Sequence, residues 1–152
     1  MNHQPGTSSD PVSVSLFSEI IVVDQLARSQ LAKILPKGME ISHFTVLNHL
    51  ASHGEERTPA QLAKTFHVTK GAMTNTLGKL DWAGHVHIRP DWDDARRKLV
   101  AISSSGRAAR DMALSSIAPL MADIVNDIGA DQVRAALPVL RALRERLGRD
   151  LL

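Results

Sequence analysis

The side chains whose spacing invites chemistry in this sequence are histidines, one asparagine and a cluster of cations. His49 and His53 stand four residues apart, an interval that sets two imidazoles on one helical face and can share a zinc ion. No Asp or Glu within that segment completes a ligand set, and Glu55 and Glu56 lie beyond Gly54. A solvent-facing pair is therefore expected, and no metal is assigned. Nucleophilic chemistry has no foothold. There is no cysteine, no Gly-x-Ser-x-Gly, no glycine-rich phosphate loop after a strand, and no paired carboxylates in a cleft-like setting. No catalytic residue and no cofactor is expected, and the chain reads as a non-enzyme.

A second set of residues points to nucleic acid. Thr69, Lys70, Gly71, Thr74, Asn75 and Lys79 fall within "TKGAMTNTLGKL", and Arg89, Arg96, Arg97 and Lys98 flank or belong to "PDWDDARRK". Asn can bond adenine N6 and N7 together, Lys can reach guanine or phosphate, and Arg suits a narrow, electronegative minor groove. These ten positions are the expected DNA-binding residues. Charge distribution agrees: residues 64–110 hold nine Lys/Arg against four Asp, although the whole chain is only +2. The flanking thirds are both slightly acidic, so the positive charge is concentrated where these residues lie.

The elements that must position these groups follow from periodicity and capping. Residues 1–9 read as a flexible tail. Asp10 before Pro11 is a helix start, and Leu16, Ile20, Val23, Ala27, Leu31 and Ile34 then recur at helical spacing up to "PKG". Phe17, Ile21, Val22 and Leu26 make that helix apolar on more than one face, which suggests a second copy as partner. A helix over about 41–53 ends at Gly54. Thr58, Pro59 and Gln61 form a capping box for a short helix over about 59–66. Thr69 caps another running to about Ala83, with Gly84 as its stop.

Within that helix Met73, Leu77 and Leu80 make a buried stripe, leaving the small and polar residues outward. Two interior glycines, Gly71 and Gly78, each cost a helix about 1 kcal/mol relative to alanine. A purely structural helix has little reason to accept them. Val86 and Ile88 alternate with polar neighbours as a strand, and Leu99, Ala101 and Ile102 suggest its return. The turn between them is expected to hold Asp94 paired with Arg96 or Arg89, and Trp92 packed under its own loop. His85 and His87 are expected to meet phosphate or neighbouring helices. Two closing helices, about 104–128 and 131–147, contain Pro119 and Pro138, which should kink them.

The 152 residues suffice for one core plus dimerisation helices. The first ten residues lack a basic and an apolar region, so no secretory signal is expected. The longest strongly apolar run, Ile20–Val23, is too short to span a bilayer. Together with the missing cysteines, this leads to an expected cytoplasmic location.

The segment "TPAQLAKTFHVTKGAMTNTLGKLDWAGHVHIRPDWDDARRKLVAIS" resembles the winged helix-turn-helix of the multiple-antibiotic-resistance regulator (MarR) family. The matching features are Leu62–Ala63, Thr69–Lys70, Gly84–His85–Val86, Asp94–Ala95–Arg96 and Leu99–Ser103, in that order, with long helices on either side. The sequence departs from the family pattern at Asn75, Gly78 and His85. The resemblance implies a mainly α fold with a small β-hairpin wing, in which residues 39–103 form the winged helix-turn-helix DNA-binding region. Residues 10–35 and 104–152 would form a helical dimerisation region. It further implies a homodimer on a palindromic operator, a repressor whose grip on double-stranded DNA is relieved by a small phenolic or anionic effector. Phe17, Ile20, Ile41, His43, Phe44 and Met112 are the expected lining of such a site. A protein-interaction module and a metal-responsive regulator are the alternatives.

Overall fold

The computed structural model describes residues 11–149, which form six helices and a two-stranded antiparallel sheet. The chain divides into two compact units at Ile34/Leu35. The first contributes α1 (Pro11–Ile34), a single helix with no buried residue, on which Phe17, Ile21, Val22, Val23 and Leu26 are exposed. The expected cap at Asp10 lies outside the described residues.

The second unit carries everything else. α2 (Ile41–His53) closes at Gly54, whose left-handed backbone (φ 64°) lets its N–H reach back to the Leu50 carbonyl. α3 (Pro59–Thr65) starts on the expected capping box: Thr58 Oγ1 accepts from Gln61 N–H at 3.1 Å, and Gln61 Oε1 accepts from Thr58 N–H at 2.9 Å. The turn to α4 (Lys70–Trp82) passes through His67 in the left-handed region (φ 51°), and Thr69 Oγ1 caps α4 by accepting from Ala72 N–H. A left-handed conformation at Gly84 (φ 77°) then leads into β1 (Val86–Pro90).

β1 pairs with β2 (Lys98–Ile102) in a register that sets Ile88 opposite Val100 and Pro90 opposite Lys98. A short bridge adds Arg57 to the outer side of β2: Arg57 N–H donates to the Val100 carbonyl, and Val100 N–H donates back at 2.7 Å. Because Arg57 immediately precedes the α3 cap, the wing and the start of the helix-turn-helix are tied through backbone. α5 (Ser104–Ile128) and α6 (Ala130–Arg149) each run through their proline as one helix.

The core is a single cluster under the helix-turn-helix. Val46, Leu47 and Leu50 from α2, Leu62 and Ala63 from α3, Met73, Leu77 and Leu80 from α4, and Val86 and Val100 from the wing meet there. The three α4 residues are the stripe read from helical spacing. On α2, His43 is buried beside Val46, whereas Phe44 is only partly so. Among the described residues, no helix is long and apolar enough to cross a membrane.

Candidate nucleic-acid interface and the adjoining cavity

α4 turns Lys70, Gly71, Thr74, Asn75, Gly78 and Lys79 outward, with Thr69 exposed just ahead of them. The two glycines have ordinary backbone, and a Cβ added at either would meet nothing within 4 Å. Neither backbone conformation nor packing within the chain requires glycine there. What the missing methyls leave is a smooth, close-approach surface beside Asn75. Lys79 is not wholly available, because its Nζ lies 3.3 Å from Glu40 Oε1. Both groups are about half or more exposed, so this pair is a weak restraint.

The wing is more organised than its sequence suggested. Asp91, nearly buried, accepts from the Arg97 guanidinium at 2.9 Å and from Asp93 N–H at 3.0 Å, while its own N–H donates to the Arg97 carbonyl. Asp94 Oδ1 accepts from both the backbone N–H and Nε of Arg96, each at 3.1 Å, which holds its carboxyl below the usual carboxylate range. Of the two partners considered for Asp94, the structure selects Arg96. That side chain is still 90% exposed, so its guanidinium can turn to another anion. Lys98 opens β2 and is exposed.

Arg89 is committed elsewhere. Its guanidinium makes a two-point bond to Glu56, at 3.1 and 2.7 Å, from a loop 33 residues away, and stacks 4.2 Å from the centre of the Trp92 ring. It braces the wing against the α2–α3 loop. Trp92 is not packed under its loop, as expected from sequence, but stands 83% exposed at the wing tip. An Arg stacked on one face of the ring holds the indole outward, and besides Trp92 itself the short turn offers only the small Ala95 as apolar surface.

The histidines do not gather into a metal site; among the described residues no group of three or more His, Asp or Glu could hold one. His49 and His53 stack at 4.1 Å between ring centres, and His53 Nδ1 lies 2.9 Å from the His49 carbonyl. His87 is exposed on β1, and His85 is half-buried at its start.

Beside the recognition face lies a cavity of about 1100 Å³ between the start of α2, the second half of α4 and the start of α5. Asn75, Gly78 and Lys79 form part of its wall, so one helix serves both surfaces. Of the expected ligand residues, His43 and Met112 line it, whereas Ile41 and Phe44, both half-buried on α2, do not. Phe17 and Ile20 belong to α1, the first exposed and the second half-buried. His43 is 8% exposed; its Nδ1 accepts the Glu40 N–H at 3.2 Å, and its Nε2 is buried without a partner among the described residues. An unpaired buried donor of this kind costs about 1–3 kcal/mol.

Burial pushes the His43 imidazole below its ordinary pKa, with Lys79 and His85 adding to the effect and Glu40 opposing it. His49 is lowered too, by burial first and then by His53 and Arg57. The folded chain thus takes up these two protons at lower pH than the unfolded chain. Stability should hold above pH 6.5, the ordinary histidine value, and decline as pH falls below it. Urea midpoints measured from pH 8 to pH 5 check this, and a flat profile would contradict it.

Comparison with known proteins agrees with this architecture. A MarR family model matches residues 37–97, from the end of the α1–α2 connection through the wing turn. Among solved structures, the transcriptional regulator BldR from Sulfolobus solfataricus superposes with a TM-score of 0.78 at 25% identity. The match covers 88% of this chain and 95% of that one. A mutant MarR from E. coli complexed with operator DNA gives 0.77 at 26% identity, covering 89% and 99%. PcaV from Streptomyces coelicolor, in complex with its natural ligand, shares the fold at 13% identity with a TM-score of 0.74, covering 95% and 98%. No curated protein matches significantly in sequence. With the capped helix pair, the bridged wing and these matches in hand, residues 37–97 carry a MarR-family winged helix-turn-helix, and the chain is similar in fold to MarR-type transcriptional regulators.

Proposed function

We propose that this protein is a dimeric, sequence-reading repressor, acting in the cytoplasm, whose α4 enters the major groove of an operator. The observation that carries this reading is the outward face of α4. Two glycines that nothing inside the chain requires flank Asn75, the side chain best suited to bidentate adenine contact. Thr69, Lys70, Gly71, Thr74, Asn75 and Lys79 would face the groove, with Arg96 and Lys98 on the flanking backbone or minor groove. Arg97 and Arg89 would act mainly by shaping the wing, since Asp91 and Glu56 hold them. The similarity to a MarR solved on operator DNA supports the same assignment.

Dimerisation is supported by apolar side chains left exposed on α1, on the second half of α5 (Met121, Ile124, Ile128) and on α6 (Leu137, Val139, Leu140, Leu147). A second copy is the simplest cover for them. Two-fold symmetry would then place half-sites about 10–10.5 bp apart or at a multiple of that spacing. A small molecule in the α4-walled cavity would relieve repression by biasing the helix that reads DNA.

Selection from a randomised duplex library at near-physiological salt tests the reading. Enrichment of an inverted repeat is the expected result; the absence of any enriched sequence would refute sequence-specific binding. On the selected operator, Arg96→Ala should weaken all duplexes and flatten the salt dependence by about 0.9 in log–log slope per lost phosphate contact. Gly71→Ala should raise the urea midpoint, by about 1 kcal/mol of helix propensity, while lowering operator affinity. A gain in stability without loss of binding would show that α4 does not approach DNA at residue 71.

A further inference from the structure

We propose that Trp92 is a one-sided wedge: with the wing in the minor groove, its free indole face stacks on an opened base step and bends the operator there. This rests on the operator-binding reading above and adds to it a residue that reads how easily the duplex deforms. Trp92 stands exposed at the wing tip, a large apolar ring left in water. Its orientation is fixed all the same. The Arg89 guanidinium lies 4.2 Å from the ring centre, and Arg89 is itself held by two bonds to Glu56, at 3.1 and 2.7 Å. One face of the indole is covered by a cation and the other is open. A ring anchored in this way loses little rotamer freedom on meeting a partner.

Position points to the duplex as that partner. Arg57 N–H bonds to the Val100 carbonyl at 3.0 Å and Val100 N–H bonds back at 2.7 Å, which ties the wing to the start of α3 through backbone. The tip therefore keeps its spacing from α4, and a duplex that takes α4 in its major groove meets Trp92 in the adjoining minor groove. Charge pairing argues for bases rather than phosphate at the tip. Asp91 holds Arg97 at 2.9 Å, Asp94 holds Arg96 at 3.1 Å and Glu56 holds Arg89, so these groups largely cancel around the ring. The exposed Asp93 carboxylate opposes the approach, and stacking has to outweigh it. Apolar side chains wedged into the minor groove unstack a step and kink the helix, and TA and CA steps open at least cost.

Two fluorescence measurements with the selected operator test the wedge on the full chain. Trp82→Phe leaves Trp92 as the single tryptophan, and Trp82 is almost wholly exposed, so the fold should survive the change. Operator should quench Trp92 emission and reduce its accessibility to acrylamide. 2-Aminopurine, placed in turn at each adenine of the operator flanks, should brighten at one step with the unaltered chain and with Trp92→Phe, but not with Trp92→Ala. Trp92→Ala should weaken operator binding about tenfold, the scale of one lost aromatic–base stack. It should also stop distinguishing a TA step at that position from a stiff A-tract. Operator bound with Trp92 as accessible as before, or with step preference undiminished in Trp92→Ala, would overturn the wedge and leave sequence-specific repression standing. An indole already shielded from acrylamide in the DNA-free chain would assign it to a second copy and overturn the wedge as well. No duplex bound at all would remove both readings. Should Trp82→Phe not fold, the 2-aminopurine signal with the unaltered chain decides.

Discussion

Gly106→Ala should destabilise the fold by about 3 kcal/mol, at the upper end of what overpacking one methyl group costs. A Cβ at residue 106 would drive into the backbone carbonyl of His85 and crowd the Ile102 side chain. The obstacle is backbone and is held from several sides. The His85 carbonyl accepts the Ser103 N–H at 3.0 Å, and Ser103 Oγ donates to the Gly84 carbonyl at 2.6 Å while accepting the Gly106 N–H at 2.9 Å. Ser103 thereby caps α5 and pins it to the turn that ends α4. A methyl group inserted there must move either α5 or the α4–β1 turn, and with it the end of the recognition helix. Urea denaturation checks the expectation, with Ser104→Ala, at an exposed neighbouring position, as the control that should change little. An unchanged midpoint would mean that the start of α5 can slide away from the turn without cost.

The second large effect separates two faces of one helix. Leu77 and Asn75 are two residues apart on α4, but Leu77 is 2% exposed in the core whereas Asn75 is outward. Leu77→Ala removes three methyl-sized groups from a site enclosed by α2, α3 and the wing, and should cost about 2–5 kcal/mol of stability depending on how far the cavity collapses. Its folded fraction should still discriminate operator from random DNA, because the groove-facing atoms are untouched. Asn75→Ala should behave in the opposite way. Stability should change little or rise, alanine being the better helix former. Discrimination at particular base pairs should fall by about 1–3 kcal/mol. Denaturation midpoints and competition binding on both variants provide the check. Equal losses on operator and random duplexes for Asn75→Ala would remove it from direct readout.

Helices and their ends were legible from the sequence because their causes are local. A capping box joins residues three apart, as in Thr58 and Gln61, and a buried stripe repeats every three or four, as in Met73, Leu77 and Leu80. Gly54 and Gly84 stop their helices because a left-handed residue there costs glycine nothing. The hairpin, too, is local, since Val86 and Ile88 alternate towards one face and the polar run between the strands can only turn. From these elements in order came the winged helix-turn-helix, along with the outward face of α4.

What only the tertiary structure decided are the partners of side chains distant in sequence. Arg89 sits beside Asp91, Asp93 and Asp94 in the chain, yet its bond is to Glu56, because the bridge from β2 to Arg57 brings the wing against the α2–α3 loop. Trp92 is held out by that same arginine rather than folded under its turn. Gly106 lies in the first turn of α5, and its necessity comes from the His85 carbonyl that the preceding turn brings against it. His43 was one of the expected effector-lining residues, but its tautomer is set by the Glu40 amide, and the burial that leaves its Nε2 without a partner among the described residues comes only with packing. Periodicity and capping act over one helical turn, so sequence alone determined the elements and the faces they present. Burial, ion pairing and steric exclusion act across space, and it took the packed chain to decide which of those faces meet.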